Sequence, residues 1–402
     1  VVYNGTFINN FSFPHFGYPA VAELSDDDTR KSHGLPPKER VPSVYDSTNW
    51  YENALTADAD WVTYEATVST VPDQIAISPG YLQKEWTENG RRYFHYKMDT
   101  KIMNFYSYLS ARYEVKKDKW KDVNIEIYYH KGHEYNVDRM IYAIKKSLGY
   151  FTVNFSPYQY KQVRILEFPR YASFAQSFPN TIPYSESVGF IADVDENDPD
   201  DINYPFYVTA HEVAHQWWGH QVCGANVQGG AIMVETMAQY SALMVMEKEF
   251  GKATMKKFLK YEMDRYLKGR ASERKKEMPM ITMEGQQYIH YQKGSVVMYA
   301  LKDYIGEDSL NSAMRKYIKA SAYRENPYTT SLEFVDYIRR ATPDSLKYIV
   351  KDMFENITLY ENRVLEAAYK KTKDGKYAVK FKIEAKKFVA DSLGNENEIP
   401  VN

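Results

Sequence analysis

From Trp61 the chain alternates apolar and polar residues in short segments: "WVTYEATVST", "QIAISPGYLQKEW", "RRYFHYKMD", "FYSYLSARYEV" and "VNIEIYYH". Their length and period of two, with "PD", "PG", "NG" and charged turns between them, predict antiparallel strands to about residue 130. The first sixty residues show no such pattern. They are rich in Pro, Asn, Asp and Tyr, with turn clusters such as "HGLPPKERVP", and read as irregular chain. Helical spacing begins at "NVDRMIYAIKKSLGYFTVNF", where Asn136 or Asp138 is the candidate N-cap. "QVRILEFPR" then reads as a strand. Helices follow in "FYVTAHEVAHQWW", "AIMVETMAQYSALMVMEKEFG", "KATMKKFLKYEMDRYLKG", "QKGSVVMYALKDYIG" and "SLEFVDYIRRA". The end, "VLEAAYKKTKDGKYAVKFKIEAKKFVA", returns to strand grammar with "DG" as a hairpin turn.

These patterns predict an α+β multidomain chain. Residues 1–132 form an N-terminal β domain with an irregular leading segment. Residues 133–360 form a mainly helical domain, and 361–402 the start of a C-terminal β domain that lacks a second sheet to bury against. A length of 402 residues, 44% hydrophobic and 26% charged, suits several globular domains. With 51 basic against 53 acidic residues the chain has no basic excess, which argues against a nucleic-acid partner. No apolar run approaches the roughly 20 residues needed to span a bilayer. The chain starts at valine without a basic-then-apolar leader, so we expect an excised or processed segment. The single cysteine, Cys223, permits no intrachain disulfide and leaves the compartment open.

The candidate chemistry lies in "TAHEVAHQWWGH", Thr209 to His220, where three of the nine histidines fall within ten residues. His211 and His215 are four apart, so on a helix both imidazoles reach one cation from the same side. Glu212 is about 100° round the helix, beside the metal without ligating it. There a carboxylate takes a proton from water that zinc has acidified to a pKa of about 7. A third ligand must come from elsewhere. No acid occurs between His215 and Val234, and the first is Glu235, alone in the apolar run "AIMVETMAQYSALMVME". Burying it is costly unless a cation compensates. His220 competes for the same role but lies half a turn off the metal-facing side. Gln239, a turn past Glu235, is placed to orient a ligand imidazole. One catalytic Zn2+ on His211, His215 and Glu235, with Glu212 as general base, is the expectation.

"HEVAHQWWGH" followed by a glutamate in a helix resembles the gluzincin aminopeptidases, the aminopeptidase N-like family. "IHYQKGSVVMYAL" resembles that family's Tyr-x-Lys-Gly helix, which makes Tyr291, not Tyr288, the implied oxyanion-stabilising residue. "YSESVGFI" resembles its Gly-x-Met-Glu-Asn-x-Gly strand, which implies that Glu186 holds the free amine of a peptide substrate. The domain order matches as well, so the resemblance implies a thermolysin-like catalytic domain and removal of N-terminal residues from peptides. "GANVQG" and "MAQYSALMVMEKE" are similar to a bacterial subgroup fused to ABC-type permease membrane segments. That similarity implies an extracytoplasmic (periplasmic) domain tethered through segments absent from this chain, with a cytoplasmic location left open.

The chain departs from the family at several points. Nineteen residues separate His215 from Glu235, one more than the family's usual spacing. Pro183, Tyr184 and Ser185 replace the Gly-x-Met part of the exopeptidase motif, Ser187 its Asn, and Val234 stands where the family often has Asn. The large helical domain that roofs the family's site does not follow. Two alternatives stay open on this account: a zinc endopeptidase, or a transporter's peptide-binding sensor with little turnover. The acidic stretch Asp193 to Asp201 lacks the glycine and glutamate of a calcium loop and reads as a solvated turn.

Overall fold

A computed structural model describes residues 8–9, 23–24, 26–38, 41–55, 60–195, 197–198, 201–273, 277–391 and 394–401. Part of the Asp193–Asp201 stretch and much of the leading segment lie outside these residues. Within the leading segment the sequence pattern missed a short helix, Asp27–Ser32, whose first turn is capped by the Asp26 side chain accepting from Thr29 N.

The alternating segments form strands. β1 (Glu65–Thr70), β3 (Tyr81–Glu88) and β4 (Arg91–Lys97) make an antiparallel sheet in the order β1-β4-β3. β2 (Ile75–Ile77) pairs antiparallel with β5 (Ser107–Ala111). β6 (Glu114–Trp120) and β7 (Val123–Tyr129) form an antiparallel hairpin but belong to a different layer. β7 runs parallel to β8 (Gln162–Phe168), which runs parallel to β9 (Thr181–Ser185), giving one mixed sheet, β9-β8-β7-β6. The crossover between β7 and β8 is helix α1 (Val137–Asn154). This sheet therefore straddles residue 132, because alternation reports which face of a strand is buried and not its partner. β8 is buried at every position, as expected of a central strand covered on both faces.

Asn136 stands at the start of α1 without capping it. Its side-chain amide instead donates to the carbonyls of Gly189 and Ala192, at 2.7 and 2.8 Å, tying the loop after β9 to the helix. The helical part continues with α2 (Tyr204–Ala214), α3 (Met237–Phe250), α4 (Met255–Ser272), α5 (Gly294–Ile305), α6 (Glu307–Ser321) and α7 (Ser331–Ala341). One large core, including Phe151, Trp217, Trp218, Tyr240 and Met244, joins these helices to the mixed sheet. The chain ends in an antiparallel sheet of β10 (Ile357–Lys371), β11 (Tyr377–Ala390) and β12 (Glu396–Ile399). Gly375, with φ near +82°, supplies the left-handed residue of its "DG" turn. Val364, Tyr369, Val379, Phe381 and Ile383 are exposed there. The architecture is the mixed α+β one expected: N-terminal sheets, a helical region, then C-terminal strands.

Candidate active site

Helix α2 starts where the Asn203 side chain accepts from Phe206 N, with Pro205 in its first turn. Its last turn carries His211 and His215, whose Nε2 atoms lie 3.0 Å apart. The helix stops at His215, and the chain turns back through Gly219, whose φ of +130° suits only glycine. This turn brings the Trp218 carbonyl to His215, whose Nδ1–H donates to it at 2.9 Å. The bond keeps the Nδ1 proton in place, so Nε2 is the nitrogen that would bind a metal in exchange for its own proton.

Glu235 comes from the next helical segment. Its Oε2 is 3.5 Å from His211 Nε2 and 3.4 Å from His215 Nε2. That oxygen is buried and makes no hydrogen bond. Zinc bonds of about 2.0–2.1 Å at tetrahedral angles would set ligand atoms about 3.3 Å apart, so the three atoms have the spacing of one face of such a site. The donor set, two imidazoles and one carboxylate, is that of a catalytic zinc with an open position. These residues fit the metal that the sequence implied.

The electrostatics point the same way. Burial works against a charged His215, but the Glu235 carboxylate overrides it and holds the ring up at about 9. Burial would raise Glu235, yet the two histidines hold it well below the usual carboxylate range. His211 is lowered, first by burial and then by the neighbouring His215. A buried anion facing two imidazoles favours a cation among them. Glu212 is 5% exposed, and burial, opposed by His215, pushes it up to about 7. Its Oε2 makes no hydrogen bond.

Two cavities meet at this centre. One of about 200 Å³ is lined by Ser173, Phe174, Val208, Glu212, Arg265 and Tyr291 among others. The other, of about 140 Å³, is lined by Gln176, Ser177, His215, His220, Glu235 and Tyr291 among others. Tyr291 lies beside the histidines, its ring centroid 5.9 Å from that of His211. Burial, then the Glu235 carboxylate, raises its phenol well above the ordinary value, so it remains a proton donor. Gly294 allows this approach, since a Cβ there would come within 2.6 Å of Thr236 Oγ1, next to Glu235. Thr236 Oγ1 in turn donates to the His290 carbonyl at 2.6 Å. Tyr288 faces elsewhere, packing on Gly269 and Tyr266 of α4. Glu186, Glu235 and Tyr291 all sit in wide i→i+5 turns, Glu186–Phe190, Ile232–Thr236 and Tyr288–Lys293. Such turns are rare and cluster at functional sites.

The remaining expectations fare differently. His220 is not with the three converging atoms. Its Nε2–H donates to the Ser177 carbonyl at 2.9 Å, and burial pushes it down to about 4, so the neutral ring braces the cavity wall. Gln239 lines the cavity with His211 and donates to Glu262 Oε1 at 3.1 Å. Glu262, which the sequence reading passed over, is 1% exposed and also accepts from Tyr207 at 2.8 Å. Its position shared a signal with the buried face of α4: Met255, Phe258 and Glu262 fall three and four residues apart.

Glu186 is not brought to either cavity. Its Oε1 accepts from Arg170 N at 2.9 Å, and Oε2 lies 3.8 Å from His133 Nδ1, which itself donates to the fully buried Glu167. The reason is the strand order. The segment Ser173–Phe178 folds back antiparallel on β9, with Ser185 N bonded to the Phe174 carbonyl and Gln176 N to that of Pro183, both at 3.0 Å. That segment, and not Pro183–Ser187, forms the cavity wall. It carries no carboxylate.

The sequence model of the peptidase family M1 domain matches residues 135–355, more than half of the chain. Among solved structures, the M1 zinc metallopeptidase of Deinococcus radiodurans is similar at a TM-score of 0.54 and 14% identity, over 74% of this chain and 64% of that one. A point mutant of that enzyme gives 0.54 and 14%, over 74% and 65%. A two-domain M1 zinc metallopeptidase mutant bound to L-tryptophan gives 0.55 and 14%, over 74% and 64%. At this identity the likeness concerns the fold, and the chain covers less than two-thirds of the length of those structures, 64–65%. No curated protein is significantly similar to it. On the match of its helical region and the site that region carries, the chain belongs to peptidase family M1.

Proposed function

We propose that the protein hydrolyses peptide bonds with one zinc held by His211, His215 and Glu235. The observation that carries this reading is the convergence of those three side chains, with Glu212 and Tyr291, on one pair of joined cavities. Zinc bound there supplies a Lewis acid that acidifies water and polarises a carbonyl. Glu212 accepts the proton of the attacking water and delivers it to the leaving amine. A carboxyl whose proton affinity is raised by burial beside the metal site serves in both directions. Tyr291 donates a hydrogen bond to the oxyanion that develops on the substrate. The sensor alternative gives no use to a buried Glu212 in the cavity wall whose Oε2 makes no hydrogen bond. Membrane tethering and an extracytoplasmic location rest on the sequence resemblance alone. Among the described residues, no helix is long and apolar enough to cross a membrane.

The resemblance also implied removal of N-terminal residues, with Glu186 anchoring the substrate's amine. In this protein Glu186 is turned away, and the carboxylates lining the cavities are Glu212 and Glu235. Both have other work. We therefore infer a peptidase that tolerates a blocked amine. Matched free and N-acetylated peptides, incubated with and without added zinc and read by mass spectrometry, test this. We expect zinc-dependent cleavage of both at rates within about threefold, below the roughly 10-fold that losing a charge-assisted bond costs. Glu186→Ala should keep that ratio. Strict dependence on a free amine, lost in Glu186→Ala, would restore the aminopeptidase reading.

Tyr291→Phe should cut kcat by about 100-fold with little change in zinc content or peptide affinity, because an oxyanion donor acts mainly in the transition state. Tyr288→Phe should leave kcat close to the parent's. The opposite result would place the catalytic phenol one turn earlier.

A further inference from the structure

Among the described residues, the cavity wall that offers no spare anion carries an arginine. Arg265, on α4, lines the cavity together with His211, Glu212 and Tyr291. It also lines a wider groove of about 520 Å³, which shares Gln287 and Gln292 with the cavity and runs outward past Lys268. The guanidinium is held in place: one nitrogen donates to the Tyr261 hydroxyl at 2.5 Å, and the group lies 5.2 Å from that ring's centroid. Among the described residues, no carboxylate comes within ion-pair distance of it. The buried Glu262 acts on it only at longer range, behind the effects of burial and of the Tyr261 and Tyr204 phenols. An arginine has five N–H donors in a planar fork suited to a carboxylate, and the Tyr261 and Tyr204 phenols that Arg265 meets leave several of them available.

The carboxylate that shares the cavity with Arg265 is Glu212, while Glu273 and Glu284 line the groove. Ser173, Phe174, Ala175, Val188 and Val208 bring hydroxyl and apolar surface only. A peptide lying through the cavity thus meets a guanidinium that has no ion-pair partner among the described residues. We propose that Arg265 determines specificity by pairing with a substrate carboxylate. It selects peptides that present an acidic side chain, or their terminal carboxylate, on the groove side of the cleaved bond. This rests on the reading of the cavity as the peptide site.

The test uses zinc-loaded Glu212→Gln protein, so that binding is read without turnover. Peptides that differ only by Glu or Gln at one scanned position, each with a free or amidated C-terminus, are titrated by calorimetry. Arg265 is exposed, so the expected advantage is at the lower end for a charge-assisted pair, about 5-fold in affinity at low salt. The advantage should vanish with Arg265→Ala and survive in part with Arg265→Lys, a point charge without the fork. An advantage confined to peptides with a free C-terminus assigns the site to the terminal carboxylate, and one that persists on amidation assigns it to the side chain. Equal binding of Glu and Gln peptides with both termini, or an advantage unchanged in Arg265→Ala, overturns the proposal while leaving the peptidase reading intact. Failure of the zinc-loaded protein to bind or cleave any peptide removes the peptidase reading and this proposal with it.

Discussion

Glu212→Gln should retain its zinc and lose turnover by at least about 100- to 10,000-fold, the usual worth of general acid–base assistance. The amide keeps the volume of the carboxylate but cannot accept a proton. Its neighbours also place the effect on chemistry rather than on folding. Glu212 Oε2 makes no hydrogen bond that the substitution would break, and the side chain borders both cavities. Single-turnover peptide cleavage, with metal content measured on the same sample, checks this. Comparable rates in variant and parent would show that another group takes the proton.

Glu235→Ala should weaken zinc binding by at least about 100-fold, beyond the 10- to 100-fold typical of groups that only orient a ligand. Its carboxylate is 3.4–3.5 Å from both imidazole nitrogens and is the one anion among the three converging groups. Without it, two neutral imidazoles remain, a poorer set for a dication. Competition against a chelator measures the change. His220→Ala should keep the metal, since that ring's Nε2 is committed to the Ser177 carbonyl. Retention in Glu235→Ala with loss in His220→Ala would reverse the ligand assignment.

The residues of the candidate zinc site could be singled out in the sequence because their spacing is local. Four residues on a helix fix the spacing of His211 and His215, and a lone acid in an apolar run marks Glu235 whatever the tertiary arrangement. Likewise, the alternation from Trp61 onward specifies strands, since one face of each must be buried. What the sequence hid was non-local. That β7 pairs in parallel with β8 across α1 is not encoded in either strand's alternation. The wall segment Ser173–Phe178 carries serine, phenylalanine, alanine and glutamine, so nothing in it flags a site. The nearby Glu186 matches a motif in sequence, and a motif match does not fix which way a strand faces. In the fold it answers Arg170 N and His133 instead. Glu262 was hidden differently, by the charged residues around it, although its helical phase matches the buried face of α4.

If one zinc at His211, His215 and Glu235 makes this protein a peptidase, titrating chelator-stripped protein with zinc, while following hydrolysis of a peptide pool by mass spectrometry, should reveal it. The stripped protein should cleave nothing, activity should rise in proportion to added zinc, and the rise should break at about one equivalent per chain. Cleavage that survives stripping, or none at saturating zinc, would rule zinc catalysis at this site out.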